Sequence, residues 1–299
     1  MANWNDVLNE INSCRRTDAL DFVRRKHLEE FSKYRNRNAI AYYSGWLQKS
    51  GNAKTSITDD DKNGFMATIN KMDRSKGLDI ILHTPGGDIA ATESIIDYLQ
   101  KMFKGNIEAF IPQLAMSAGT MIACSTKQIY MGKQSSIGPI DPQLGGMPCH
   151  SILKEFDDAI KSIEKNPASL PAWQCILAKY YPTLLGECKN AIDLSSEIVQ
   201  KQLETVMFKG ETDNKQKALM VIKKLNEHEN SKLHVRHLPI DVAKQCGLKI
   251  VELENDSKLQ DLLLTVHHCY MHTFANSLAI KIVENQMGIA VISFAGNRT

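Results

Sequence analysis

The short apolar run LDIIL (78–82) stops at His-Thr-Pro-Gly-Gly and gives way at once to a helical pattern. Runs of this kind are buried on both faces of a sheet, and such sheets are mostly parallel and covered by crossover helices. The neighbouring sequence repeats the theme. NRNAIAYYSGWL (36–47), NIEAFI (106–111) and KQIYM (127–131) read as strands, and SAGTMIACST reads as a short buried helix. Between about Ile89 and Met102, the residues Ile95, Ile96, Leu99 and Met102 fall on one helical face. Strands alternating with helices from Ala39 to Met131 predict a parallel sheet built from right-handed crossovers.

Helical material flanks this centre. Residues 1–33 read as a helical segment, and TDDDKNGFMATINKM as a helix with Thr58 or an Asp as N-cap and Phe65, Ile69 and Met72 inward. KQSSIGPIDPQLGGMPCH reads as a loop. Helices follow over 150–165 and 172–209, then the exposed connection KGETDNKQK, the strand LKIVEL and a long helix over 256–284. That last helix is expected to bury Leu259, Leu262, Leu263, Val266, Tyr270, Phe274, Leu278 and Ile282 on one stripe. The expected organisation is an N-terminal helical segment (1–33), an α/β core (34–210) and a C-terminal α/β part (211–299) that completes the core.

Charge and cysteine usage narrow the function classes. With 36 Lys+Arg against 34 Asp+Glu, the net charge of +2 gives no electrostatic case for nucleic acid or an anionic membrane. No apolar run reaches 18 residues, so no membrane span is expected, and the polar start lacks the apolar centre of a signal peptide. Seven scattered cysteines without a C-x-x-C motif point to reduced thiols and a cytoplasmic setting. Neither G-x-G-x-x-G after a strand nor G-x-x-x-x-G-K-[ST] is present, so no nucleotide cofactor is expected.

The glycine pair then needs another purpose. Ser117, in QLAMSAGT, sits where the strand NIEAFI hands over to a helix. A serine there reads as a helix N-cap, or as a nucleophile presented at a helix N-terminus beside the free N–H of Ala118. Loops after adjacent parallel strands gather on one sheet edge. TPGG and MSAG are therefore expected to be neighbours, with N–H groups near Gly86, Gly87 and Ala118 forming an oxyanion hole beside Ser117. Glycine is expected in the pair because a side chain would obstruct the substrate.

HTPGGDIAATESI, QLAMSAGTMIACSTKQIYMGKQSSIGPIDPQ and AKYYPTLLGECKNAI resemble the serine dehydrogenase proteinase family. That family is related to the Clp protease proteolytic subunit and to signal peptide peptidase A. The resemblance covers roughly residues 33–210, with a weaker echo in HLPIDVAKQCGLKIVEL. It implies a Clp/crotonase-like β/α superhelix, serine-type hydrolysis of peptide bonds in a protein or peptide substrate, no cofactor, and a homo-oligomer. Lining up LGG places Asp141 where the Clp subunit carries its His. The signal peptide peptidase pattern matches Lys179 in LAKYYPTLL, which makes Lys179 the leading candidate base, provided burial keeps it neutral.

Histidines compete for that role. His234 and His237, in KLHVRHLPID, fall near the segment matching the Clp triad Asp, and His83 adjoins the glycine pair, where it either orients the site or satisfies a strand-end carbonyl. His268 and His272 are spaced like a metal pair, but no third ligand accompanies them, so a structural or interface role is expected. Two other classes stay open: an acyl-CoA enzyme on the crotonase fold, and an inactive Clp-like scaffold, which the Asp at position 141 favours.

Overall fold

A computed structural model describes residues 4–51, 53–226 and 236–295. Strands β1 (Asn38–Ser44), β2 (Leu78–His83) and β3 (Ile107–Ile111) carry the alternation foreseen. After β3 come β4 (Leu114–Ala115), β5 (Ile129–Met131), β6 (Ser136–Ile137), the hairpin pair β7 (Gln143–Leu144) and β8 (Met147–Pro148), and β9 (Leu238–Pro239). Strands β10 (Ile250–Glu252), β11 (Ala279–Asn285) and β12 (Ala290–Phe294) complete the set. The main sheet runs β10-β5-β3-β2-β1-β11-β12, parallel from β10 to β1 and antiparallel beyond it.

Strand alternation assigns the two faces. From β2, Leu78, Ile80 and Leu82 enter one core with α3 (Asp60–Ile69), α4 (Ile89–Phe103) and α5 (Ala118–Cys124). Ile81 enters the other, with Phe31 of α2 (Ala19–Arg35) and Leu263, Tyr270 and Phe274 of a late helix. Each fully buried side chain of this size contributes about 1.5–3 kcal/mol. In chain order the other helices are α1 (Trp4–Ser13), α6 (Cys149–Lys165), α7 (Leu170–Leu177), α8 (Leu184–Gln202), α9 (Asn214–Asn226), α10 (Ile240–Cys246) and the late helix α11 (Ser257–Asn276).

The C-terminal helix is shorter than its apolar stripe suggests. It ends at Asn276, Ser277 is extended, and residues 279–285 form β11. Leu278 and Ile282 continue the helical spacing by coincidence, because a short run of apolar and β-branched residues satisfies both periods. The described part of the segment 1–33 is likewise two helices, broken over 14–18.

β11 is fastened to α2 by a buried ion pair. Arg24 donates from Nε and Nη2 to both Glu284 oxygens at 2.6 and 3.0 Å, and both side chains are fully buried. Tyr270 donates to Glu284 Oε2 at 2.9 Å. A buried pair contributes little relative to an apolar one, but removing a single partner strands the other charge. Glu284→Leu should therefore lose about 3–5 kcal/mol in urea unfolding, and the Arg24→Met/Glu284→Leu double variant should recover a large part of it. A Glu284→Leu protein as stable as the wild type would refute that ordering.

Beneath β1 and β2, aromatic rings and imidazoles form one cluster. His83 lies 4.3 Å from Trp46, 5.5 Å from Tyr43 and 5.1 Å from His267 between ring centroids. Neither ring nitrogen of His83 has a hydrogen-bond partner among the described residues. Burial, and secondarily the neighbouring His267, holds the His83 pKa well below the ordinary histidine value. Burial, and then His268, pushes His267 down to about 3. Both rings stay neutral in the fold while the unfolded chain protonates below about 6.5. Their contribution is complete above that pH and is lost as pH falls, by up to about 1.4 kcal/mol per pH unit per group. The urea midpoint should drop between pH 7 and 5, and His267→Phe should flatten the drop. A wild-type midpoint unchanged over that interval would rule out the coupling.

Candidate active site

The end of β2 and the end of β4 are stitched together. Thr84 N–H donates to Leu114 O at 3.1 Å, and Met116 N–H donates to Thr84 O at 3.0 Å. These bonds bring the glycine pair against the serine turn. Gly86 has φ +97°, and a Cβ there would stand 2.8 Å from both Met116 O and Ser117 Cβ. Only glycine fits at 86, for its dihedral and for this contact.

Gly87 is constrained from another side. Ile57 N–H donates to Gly86 O at 2.8 Å and Asp88 N–H to Ile57 O at 3.0 Å, so residue 57 pairs with the loop like a strand. A Cβ at Gly87 would fall 2.3–2.7 Å from the Ile57 backbone. Clearance for a substrate is thus not what requires glycine here; the close approach of Ile57 does. Asp88 then caps α4 by accepting from Ala91 N–H at 2.8 Å.

Ser117 occupies an unusual turn, with φ +50° and ψ −114°. A β-carbon residue held there stores about 1–3 kcal/mol of strain. Strained strand-to-helix turns of this kind lift a side chain clear of the backbone. The N-cap reading is not fulfilled, since the Ser117 hydroxyl makes no capping bond. Gly86 N–H is occupied by Thr84 Oγ1 at 3.2 Å and is not a free donor. The N–H groups of Gly87 and Ala118, in contrast, have no acceptor among the described residues. The arrangement is one partly exposed hydroxyl flanked by two unengaged amides.

A small second sheet, β4-β6-β9, braces the turn. Beyond β6, Gly138 packs so tightly on the serine turn that a Cβ there would lie 3.0 Å from Ser117 N. Thr120 Oγ1 accepts from Gly138 N–H and lies 2.9 Å from the carbonyls of Ala115 and Gly138. β9 pairs antiparallel with β6, Ile137 opposite Leu238, which brings exposed His237 to the next position along. His234 lies outside the described residues.

The chain then makes the hairpin β7–β8, with Gly145 and Gly146 both at positive φ (58° and 80°). Its register continues through Cys149 N–H to Pro142 O at 2.8 Å. Asp141 and His150 come next, and Asp141 Oδ1 lies 2.6 Å from His150 Nδ1. Position 141 therefore does not merely lack an imidazole: its carboxylate holds one from the other hairpin arm. Gly138 and His150 escape a reading by motif, although the L-G-G-M hairpin signal contained the information needed to pair 141 with 150.

The remaining candidates lie elsewhere. His83, expected beside the glycine pair, is turned by strand alternation into the aromatic cluster under α11, where it is fully buried against Trp46 and His267. His268 and His272 pack on Trp4, at 5.4 and 4.1 Å between ring centroids. Lys179 lies in the turn between α7 and α8 and is exposed, so this chain alone does not supply the desolvation a lysine base requires.

Two uncharacterized proteins of Methanocaldococcus jannaschii are similar to this chain. One, MJ0137, is 30% identical over 159 residues, 52% of this chain and 53% of that protein. The other, MJ1495, is 38% identical over 100 residues, 33% of this chain and 34% of that protein. The chain thus matches about half the length of the first relative and about a third of the second. A wider match comes from the ClpP-like SDH-type serine proteinases, whose family profile covers residues 19–271, including the glycine pair, the strained serine and the bracing sheet. This chain belongs to the ClpP-like SDH-type serine proteinase family.

Proposed function

We propose that the chain hydrolyses peptide bonds through an acyl-enzyme on Ser117. The observation that carries this reading is the strained, uncapped serine between the unengaged N–H groups of Gly87 and Ala118. Ser117 Oγ adds to the scissile carbonyl carbon, and the carbonyl oxygen takes up the negative charge. The two N–H groups donate to that oxygen, each worth roughly 3–4 kcal/mol in the transition state. Collapse of the intermediate breaks the C–N bond, releases the amine and leaves an ester on Ser117, which water then hydrolyses.

Assembly into a homo-oligomer fits this reading. No residue of α7 is buried, although its sequence is LPAWQCIL, with Leu170 42% and Ile176 39% exposed. An apolar helix left uncovered calls for a partner surface. A Ser117–Lys179 dyad belongs to this reading only if assembly also covers the α7–α8 turn and desolvates the lysine. No described helix is long and apolar enough to cross a membrane. The free thiols fit a reducing compartment such as the cytoplasm.

A fluorophosphonate probe should label Ser117 in the full chain, read by intact mass and peptide mapping, and Ser117→Ala should not be labelled. An unlabelled wild-type protein would favour the scaffold alternative. The backbone strain offers a second, independent measurement. Ser117→Gly should unfold at higher urea than Ser117→Ala, by about 1 kcal/mol, because glycine tolerates the positive φ that alanine retains under strain. Equal stabilities would mean that the turn is not strained in solution.

A further inference from the structure

Resting on the proposed acyl-enzyme, the geometry points to His150 as the base that takes the Ser117 proton, with Asp141 as its positioning residue. Three observations converge. Asp141 is 3% exposed, and its Oδ1 lies 2.6 Å from His150 Nδ1. Asp141 Oδ2 is buried without a hydrogen-bond partner among the described residues. Asp141 also follows by three residues Gly138, which packs against Ser117 N, a chain span of at most about 11 Å.

Each observation has a chemical consequence. A carboxylate on Nδ1 fixes the proton there and makes Nε2 the nitrogen that exchanges protons with a nucleophile. The Asp141 carboxylate, buried and bonded to His150 through one oxygen, holds the imidazole ring in a fixed orientation. His150 itself is partly exposed, its side chain 28% accessible, as a group meeting a substrate must be. The step balances within these residues. As Ser117 Oγ bonds to the carbonyl carbon, its proton passes to His150 Nε2. The imidazolium returns that proton to the departing amine nitrogen as the C–N bond breaks. In deacylation the same nitrogen takes a proton from water and gives it to Ser117 Oγ.

The hairpin explains how a sequence with Asp at 141 reaches this arrangement. The two glycines at the tip make a two-residue turn, and the register beyond it sets 141 opposite 150. His150 is also the second residue of α6, a 17-residue helix seated by Cys149 and Ile152 against Leu184 and Cys188. The imidazole is thus carried on regular structure rather than on a loop tip.

The test is the rate at which a fluorophosphonate labels Ser117 in the full chain. His150→Ala and Asp141→Asn should each slow labelling by about 10²-fold or more, while Lys179→Ala and His237→Ala stay near the wild-type rate. Added imidazole should restore the rate of His150→Ala, which a merely structural loss would not allow, and should do nothing for Ser117→Ala. Should His150→Ala fail to fold by circular dichroism, His150→Gln, which keeps a donor toward Asp141, carries the same expectation without the rescue. Wild-type rates in a folded His150 variant, with Ser117→Ala still unlabelled, would overturn this assignment and leave the nucleophile standing. Loss confined to Lys179→Ala or His237→Ala would overturn it in favour of that residue. If wild-type Ser117 is itself unlabelled, the function reading falls, and this assignment with it.

Discussion

Two hydrogen bonds through the backbone of Thr84 hold the glycine loop against the serine turn, and the chemistry of the site hangs on them. They continue the parallel pairing of the main sheet one step past β2, where a strand would ordinarily release its chain. With that step in place, Gly86 must accept a positive φ and bare contact with Ser117, and Gly87 must lie against Ile57. The N–H of Gly87 is then left facing away from the ladder that occupies its neighbours. A loop tethered less closely would place its amides without regard to the hydroxyl.

Strain and support are distributed unequally around this stitch. The Ser117 dihedrals are unfavourable for any residue bearing a Cβ, so the surroundings must overdetermine them. Gly138 from one side, Gly86 from another and α5, buried along its whole length, from beneath supply that determination. Thr120, on α5, ties the same turn to Gly138, just after β6, through its hydroxyl. Rigid scaffolding and one strained residue form a single arrangement here. This is the usual partition between a packed frame and the groups it displays.

Much of this was legible in the residues alone. LDIIL, NIEAFI and KQIYM announced central strands, and PGG and MSAG announced the loops that meet at their ends, because burial and turn chemistry are local properties. Two errors share a physical origin. The helix read through residue 284 and the role given to His83 both depended on which partner a short segment would find. Leu278 to Ile282 suits a helix stripe or a buried strand, and β1 decided the matter. His83 ends a strand whose alternation points it away from its sequence neighbours Gly86 and Gly87. The pairing of Asp141 with His150 was hidden for a different reason: a motif comparison asks what stands at one position, whereas a hairpin decides which side chains stand opposite each other.

The join between β1 and β11 has a consequence for how such a chain is made. β1 is complete once residue 44 has been synthesised, yet the strand that covers its open edge comprises residues 279–285. Until residues 279–285 have been made, NAIAYYS therefore offers an unpaired edge on an apolar strand, the kind of edge that recruits other chains. β9, which braces the serine turn through β6, also emerges late. A ribosome-bound fragment would carry the strained serine turn without its full support. The nascent protein is thus at once sticky and unfinished until β11 emerges and closes the edge.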